Sequence, residues 1–324
     1  MMTKTRSFQW MLLALLLAFL LSYPAFFTLP FPRHLMIMIF LYGMLAQAWN
    51  ILAGYCGQIS LGNAVFFGIG AYTSTLLLQR LGLTPWIGMF AGAGVAVLVS
   101  LIIGFPCFRL GGHYFAIATI AIGEIVQTIA INWDWIGGAT GLFVPILPDS
   151  FLYMEFHKSK LPYYYISLGF AVTAFLTTYL VERSRLGYYF RAIKEDPEAA
   201  KSLGIHITKY KLIAIALSAF FTAIGGTFYA QYVLYIDPDS VLPLQLSILV
   251  CLITVLGGVG NLWGPLLGVA VLIPLSEGTR IYLGGGGTAV DLVVYGALIM
   301  LISVFQPEGL IGLARKGIRY KRQG

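Results

Sequence analysis

The sequence predicts an all-α, polytopic integral membrane protein, a helical bundle of about ten transmembrane helices with both termini in the cytoplasm. Hydrophobic residues make up 59% of the 324 residues and charged residues only 10%, whereas a soluble domain carries about 25% charged residues. The few charges are also clustered, because no Asp, Glu, Lys or Arg occurs in 34–79 or in 240–276. We therefore interpret the chain as a single transmembrane domain, 1–324.

The predicted spans follow the apolar runs in chain order, each close to the roughly 20 residues that a helix needs to cross a bilayer. The first run, 8–29, is either a signal peptide or an uncleaved helix, and the lack of an A-x-A-like site after it favours the helix. The glycine-rich link at 257–264 is either a loop or a re-entrant turn. The other predicted spans are 35–53, 59–79, 84–104, 114–132, 163–181, 212–232, 244–260, 264–283 and 289–305.

The distribution of basic residues orients these spans. With the N-terminus inside, 15 of the 20 Lys and Arg residues fall in cytoplasmic segments and 5 fall outside. Cytoplasmic segments of membrane proteins carry an excess of basic residues, so the reverse orientation is disfavoured. The formal net charge of +7 is therefore an orientation signal. We expect contact with membrane lipid and no binding of nucleic acid.

No arrangement of residues predicts catalysis, a metal site or a cofactor. The three cysteines, Cys56, Cys107 and Cys251, form no C-x-x-C pair, and the four histidines lack metal-ligand spacing. No Gly-Lys dipeptide occurs, so the chain has no Walker A loop for ATP hydrolysis. A GGGGTA stretch at 284–289 lacks the strand–turn–helix context of a dinucleotide site. We expect a chain that is not an enzyme.

The longest predicted cytoplasmic loop, 182–211, holds 11 charged residues and one short helix. Asp196 is suited to cap a helix that starts at Pro197, and Gly204 is suited to the position after its end. A helix of about seven residues is too short to be stable alone in water, so it needs a surface to lie against. Two interpretations remain open: a connector on the bilayer surface, where basic residues meet anionic lipid, or a docking element for a partner protein.

Four sequence motifs, together spanning most of the chain, point to a family. Glu198-Ala199-Ala200 and Gly204 form an EAA-x-x-x-G pattern within RAIKEDPEAAKSLGI at 191–205. The other motifs are LAGYCGQISLG at 52–62, YFAIAT and GEI between 114 and 125, and LGGVGNLWGP at 256–265. In order and spacing, from about residue 35 to 312, they resemble the LivM-type permease subunits of branched-chain amino acid ABC importers.

The resemblance implies a multi-pass permease subunit of an importer for leucine, isoleucine and valine in the bacterial inner membrane. It also implies three kinds of partner: a homologous LivH-type permease, two cytoplasmic ATPase subunits, and a periplasmic or extracellular substrate-binding protein. The helix at 196–204 would then be the coupling helix that docks on an ATPase. The coupling residues implied by this match are Arg191, Glu195, Asp196, Pro197, Glu198, Ala199, Ala200 and Gly204.

Three alternatives to this function remain open, one of which is a structural membrane scaffold that transports nothing. Permeases of the same family for urea, amides or other amino acids share the EAA pattern, which does not distinguish substrates. An ion-driven secondary transporter is a second alternative. It would need intramembrane acids for ion coupling, and Glu124 is nearly the only one.

Polar residues within or between the spans are candidates for the substrate path. Glu124 lies near the middle of the fifth span, where an unpaired carboxylate costs about 2.5–3.5 kcal/mol on insertion scales. We interpret it as hydrogen-bonded to a neighbouring helix and also keep it as a path candidate. Gln58, Ser60 and Asn63 lie at a glycine-interrupted junction, where exposed backbone groups can bind ionic substrate ends. Because 54–62 and 257–264 share a Gly-x-x-Gly pattern, an internal repeat and a chance likeness both remain possible.

Overall fold

The chain folds almost entirely into helices. The structure, a computed structural model, describes residues 18–27, 29–110, 112–282, 296–297, 300 and 309–312. Within these residues the only sheet is one pair of two-residue strands. The predicted all-α class is therefore confirmed for the described part of the chain.

The helices are numbered here from residue 30 onward, and residues 18–26 are helical as well. The α-helices are α1 Pro30–Trp49, α2 Asn63–Leu81, α3 Pro85–Cys107, α4 His113–Ile131, α5 Leu161–Arg183, α6 Arg185–Glu195, α7 Pro197–Ser202, α8 Ile207–Val233, α9 Pro238–Val241, α10 Leu244–Gly257 and α11 Gly264–Tyr282. The shorter elements are a π-helix, Asn50–Tyr55, 3-10 turns at Asp134–Ile136 and Gly138–Thr140, and strands β1 Leu142–Phe143 and β2 Tyr235–Ile236.

Six helical segments of the described residues are long and apolar enough to cross a membrane. One of them joins α1 to the π-helix, and another joins α9 to α10. The six segments are Pro30–Tyr55, Pro85–Cys107, His113–Ile131, Leu161–Arg183, Ile207–Val233 and Pro238–Gly257. Together they make the protein a multi-pass helical membrane bundle.

These six segments match the ten predicted spans only in part. Helix α2 begins at Asn63, four residues after the start of the predicted span 59–79. It has 19 residues and is less apolar than the six membrane-crossing segments. The apolar segment of α11 is also shorter than a full span. Of the terminal runs, 8–29 is described only from residue 18, and nearly all of 289–305 lies outside the described residues.

Small residues bring the central helices into close contact. α8 packs against both α2 and α3. A methyl group added to Gly226 of α8 would overlap the backbone of Phe67 in α2, and one added to Gly70 would overlap the backbone of Ala223. In lipid, helices associate through such close packing rather than through hydrophobic exclusion. These contacts therefore hold α2 and α8 together at the centre of the bundle.

The two ends of the bundle differ in structure and charge. One end, called the basic end below, brings α6, α7 and the start of α8 together with the turn after α3 that carries Arg109. At the other end β1 pairs antiparallel with β2, with Leu142 opposite Ile236. The candidate coupling residues therefore all lie at the basic end.

Candidate functional site

The predicted short helix is present as α7, and its first turn is capped as predicted. Asp196 Oδ1 accepts the backbone N–H of Glu198 at 2.9 Å and that of Ala199 at 3.1 Å. Pro197 occupies the first helical position, where no N–H is needed for the helix. Glu198 places a negative charge in the first turn, where the helix dipole favours it.

The other end of α7 closes with a glycine in the left-handed conformation. Gly204 has a φ of +82°. Its N–H donates to Lys201 O at 2.9 Å, and the N–H of Ile205 donates to Ala200 O at 3.1 Å. This pair of hydrogen bonds is a Schellman motif, in which glycine is favoured because other residues are strained at positive φ. The helix has six residues, slightly fewer than predicted.

Most of α7 is open to solvent. Glu198 and Ala199 are exposed, and so is Glu195 at the end of α6. Ala200, in contrast, is only 2% exposed and packs into the hydrophobic core. One buried residue therefore anchors the helix, while its first turn can meet a partner.

A second helix, α6, leads into α7 and was not predicted. Phe190 and Ile193 lie on its buried face, at 0% and 1% exposure. On its exposed side Arg191 Nη2 donates to Glu182 Oε1 at 2.7 Å. The predicted loop is thus largely helical. The available signal was the apolar spacing i, i+3, i+4, i+7 that begins at Leu186.

Two glycine-rich segments, 54–62 and 257–264, lie against each other at the basic end and are called the paired turns below. Asn50 is fully buried, and its Nδ2 donates to Asn261 O at 3.0 Å. Its Oδ1 accepts the N–H of Gly260 at 2.8 Å. Turns leave backbone groups that no helix satisfies, so a buried side chain is needed to pair with them. The segment 257–264 is a turn that joins α10 to α11.

Lys194 joins the paired turns to α7. Its Nζ donates to Gly54 O at 3.0 Å, and the same nitrogen lies 3.2 Å from where a Cβ on Gly260 would be. The ammonium group therefore sits at the contact between the two turns. Lys194 precedes Asp196 by two residues, so the cap of α7 and the paired turns are held by one short piece of chain. The sequence contains no signal that separates Lys194 from the other bases of this loop.

Three predicted path residues lie where the chain leaves the paired turns and enters α2. Asn63 is 1% exposed, and neither polar atom of its amide has a hydrogen-bond partner in the described part of the chain. Ser60 is buried as well, and its Oγ accepts the N–H of Gly62 at 3.3 Å. Gln58 is half-buried, and its Nε2 donates to Cys56 O at 3.4 Å.

Neighbouring helices hold this segment from two sides. The N–H of Leu61 donates to Thr119 Oγ1 of α4 at 3.0 Å, and the N–H of Ala64 donates to Ser247 Oγ of α10 at 2.9 Å. The first turn of α2 therefore begins among other helices. A helix N-terminus and an unbonded amide, that of Asn63, occur at the same place.

Glu124 does not join this group. It is exposed on α4, and it makes no hydrogen bond or ion pair within the described residues, so the predicted bond to a neighbouring helix is not found. Its position is five residues beyond Thr119, about 7.5 Å along the helix axis. The physical reason is that neighbouring helices cover little of the surface of α4, on which only Phe115, Thr119 and Ala130 are buried.

The sequence itself matches a known family over most of its length. Residues 32–303 match the permease component of the branched-chain amino acid transport system. The chain belongs to this family. The LivM-type resemblance seen in the motifs is thereby confirmed.

Individual relatives agree with this membership. The chain is 28% identical to the high-affinity branched-chain amino acid permease protein LivM of Salmonella typhimurium, over 88% of this chain and 71% of LivM. It is 23% identical to LivH of the same organism, over 84% of this chain and 91% of LivH. It is also 26% identical to the guanosine ABC transporter permease protein NupQ of Bacillus subtilis, over 58% of this chain and 63% of NupQ. No solved structure matches the chain.

We predict that Asn50→Asp destabilises the protein by about 1–3 kcal/mol, the usual effect of leaving a buried polar group unpaired. The substitution removes the donor to Asn261 O while keeping the size of the side chain. The midpoint of thermal unfolding in detergent measures the effect, and Asn132→Asp, at an exposed asparagine, is the matched control. Equal midpoints for the two variants would contradict the role of Asn50.

Proposed function

We propose that the chain is a permease subunit of an ABC importer and moves branched-chain amino acids across the bacterial inner membrane without changing them chemically. The family match over 32–303 carries the proposal. The doubly capped, exposed helix α7 supports it from the structure. Because the chain has no Walker A sequence, ATP hydrolysis is assigned to separate subunits.

The proposal orients the basic end and both termini toward the cytoplasm and gives the chain ten spans. The charge count of 15 basic residues inside against 5 outside supports this orientation. The gathering of Arg109, α6 and α7 at one end of the bundle supports it as well.

The proposed assembly contains a LivH-type permease, two cytoplasmic ATPase subunits and a periplasmic or extracellular binding protein. Similarity of the chain to both LivM and LivH proteins supports a paired permease. The exposed Glu124 supports it on physical grounds, since a carboxylate facing lipid tails costs about 2.5–3.5 kcal/mol. We therefore assign this face of α4 to the contact with the second permease, where a water-filled path would solvate Glu124.

In this assembly α7 acts as the coupling helix. Its exposed first turn, with Glu198 and Ala199, meets an ATPase, and the flanking Arg191 and Glu195 complete the contact surface. When ATP binding draws the ATPases together, α7 moves together with α6. Lys194 then carries the displacement to the paired turns through its hydrogen bond to Gly54.

The first turn of α2 is the proposed binding point along the path. Backbone N–H groups and the dipole at a helix N-terminus favour a carboxylate. The unbonded amide of Asn63 can donate to that carboxylate or accept from the ammonium group of the amino acid. Gln58 and Ser60 lie between this point and the basic end, so movement of the paired turns shifts the wall of the path.

An uptake assay with the full set of partners tests the substrate. Radiolabelled leucine is taken up into proteoliposomes that contain both permeases, the ATPases and the binding protein. We expect unlabelled leucine, isoleucine and valine to compete, and urea and guanosine not to compete. Guanosine is included because NupQ is a guanosine transporter permease. Competition by guanosine or urea would assign a different substrate, and uphill uptake without the ATPases would favour an ion-driven transporter.

For the coupling helix, we predict that Gly204→Pro reduces stimulation of ATPase activity by the loaded binding protein to near the basal level. The φ of +82° at this position is incompatible with the proline ring, which requires about −65°. Gly204→Asn is the control and retains stimulation, since asparagine tolerates the left-handed conformation. Normal stimulation in the proline variant would refute a coupling role for α7.

For the path, we predict that Glu124→Leu leaves assembly near normal and lowers leucine uptake, because it removes a polar group from the wall of the path. Thr173→Leu, at an exposed polar residue on α5, is the control and leaves uptake unchanged. If Glu124 faced lipid, the Glu124→Leu substitution would raise the midpoint of thermal unfolding and leave leucine uptake unchanged. That result would contradict the assignment.

A further inference from the structure

A cleft of about 840 Å³ opens at the basic end, next to α7. Its walls come from the turn after α3, from α6 and α7, and from the first turn of α8. Gly57 and Gln58, where the proposed path meets the basic end, line the cleft as well. The cleft therefore lies where the path would open to the cytoplasm.

The charge of the cleft lining is strongly unbalanced. Among the described residues that line the cleft, Glu198 is the one acidic residue, and it lies on the exposed rim. Five basic residues line the same cleft: Arg109, Lys194, Lys201, Lys209 and Lys211. Such a cavity attracts anions, because low-dielectric walls strengthen the field of the charges around it.

Lys211 is the unusual member of this set. It is only 8% exposed, yet its ammonium group has no hydrogen bond or ion pair within the described residues. The centroid of the Phe108 ring lies 5.8 Å from its Nζ, and the Cys56 thiol interacts with it electrostatically. Burial raises the pKa of the Cys56 thiol to about 12, so no thiolate neutralises Lys211 at neutral pH. Charges with little exposure to water are normally paired, and Lys211 lines the cleft, so an anion bound in the cleft can pair with it.

The remaining lining chemistry indicates which anion fits. Phe108, Leu110 and Ile205 supply an apolar wall, which suits an aliphatic side chain. The amide oxygen of Gln58 supplies an acceptor for an ammonium group. A phosphate would use the cations alone, whereas an aliphatic amino acid matches the cation, the acceptor and the apolar wall.

We infer that this cleft is an exit site, in which the ammonium of Lys211 binds the carboxylate of the amino acid on the cytoplasmic side of the importer. The inference rests on the proposed function for the identity of the substrate and for the orientation of the basic end. Leucine from the cytoplasm binds in the same cleft and thereby slows release of the next transported molecule.

Equilibrium binding of radiolabelled leucine to the assembled importer tests this site. The complex is purified without the binding protein in nanodiscs of zwitterionic lipid. We expect Lys211→Gln to weaken leucine binding by at least about tenfold, the usual size for loss of a hydrogen bond to a charged group. Lys211→Arg keeps the charge and stays within about threefold, as does the control Lys158→Gln, at an exposed lysine that does not line the cleft.

Competitors separate the chemical groups that the cleft recognises. 4-Methylpentanoate, which carries the carboxylate without the ammonium, is expected to compete with leucine in the wild-type complex, and isopentylamine is not. The inference is overturned if leucine binds the glutamine variant as well as the wild type. It is also overturned if inorganic phosphate or added phosphatidylglycerol displaces radiolabelled leucine as effectively as unlabelled leucine does. If the glutamine variant fails to assemble, the arginine variant and the two competitors decide the question.

The outcome for the cleft is separable from the outcome for the transport function. If wild-type proteoliposomes take up leucine but Lys211→Gln leaves binding unchanged, the exit site is wrong and the transport function stands. If the wild type does not take up leucine, the proposed substrate is wrong whatever the binding assay reports.

Discussion

The arrangement of this protein depends on how it satisfies backbone groups where the chain leaves helical geometry inside the bundle. An unpaired N–H or C=O in an apolar setting costs several kcal/mol, so each turn there needs a dedicated partner. At the paired turns these partners are the amide of Asn50 and the ammonium of Lys194. Lys194 belongs to α6, which leads into the capped helix α7. Its hydrogen bond to Gly54 O therefore also connects the turn at 54–62 to α7.

This hydrogen bond connects the paired turns with α6 and α7 at the basic end. The hydrogen bonds at both ends of α7 hold its conformation, and the burial of Ala200 holds its position. The segment that leaves the paired turns leads directly to the first turn of α2, where the amide of Asn63 has no hydrogen-bond partner among the residues that the structure describes. One side chain and a few residues of backbone therefore connect α7 to a polar site inside the bundle.

The sequence-based predictions were accurate where a feature depends on residues that are close together in the chain. The cap at Asp196 and the left-handed Gly204 were predictable, because both depend on hydrogen bonds to residues at most five positions away. Helix α6 was missed although its apolar spacing is present, since the many charges of the segment suggested a solvated loop. The predicted partner for Glu124 was not found, since periodicity alone does not reveal which face of α4 is covered.

The sequence by itself determined the membrane class, the family and the capped helix, because composition, motifs and local hydrogen bonds need only neighbouring residues. The tertiary structure alone decided that 54–62 meets 257–264 across about 200 residues of chain and that Lys194 bridges them. It alone also decided that Lys211 is 8% exposed and has no hydrogen bond or ion pair to the described residues. These features arise from contacts between helices. The amino-acid pattern of one helix shows that it has a buried face but not which distant residue lies against it.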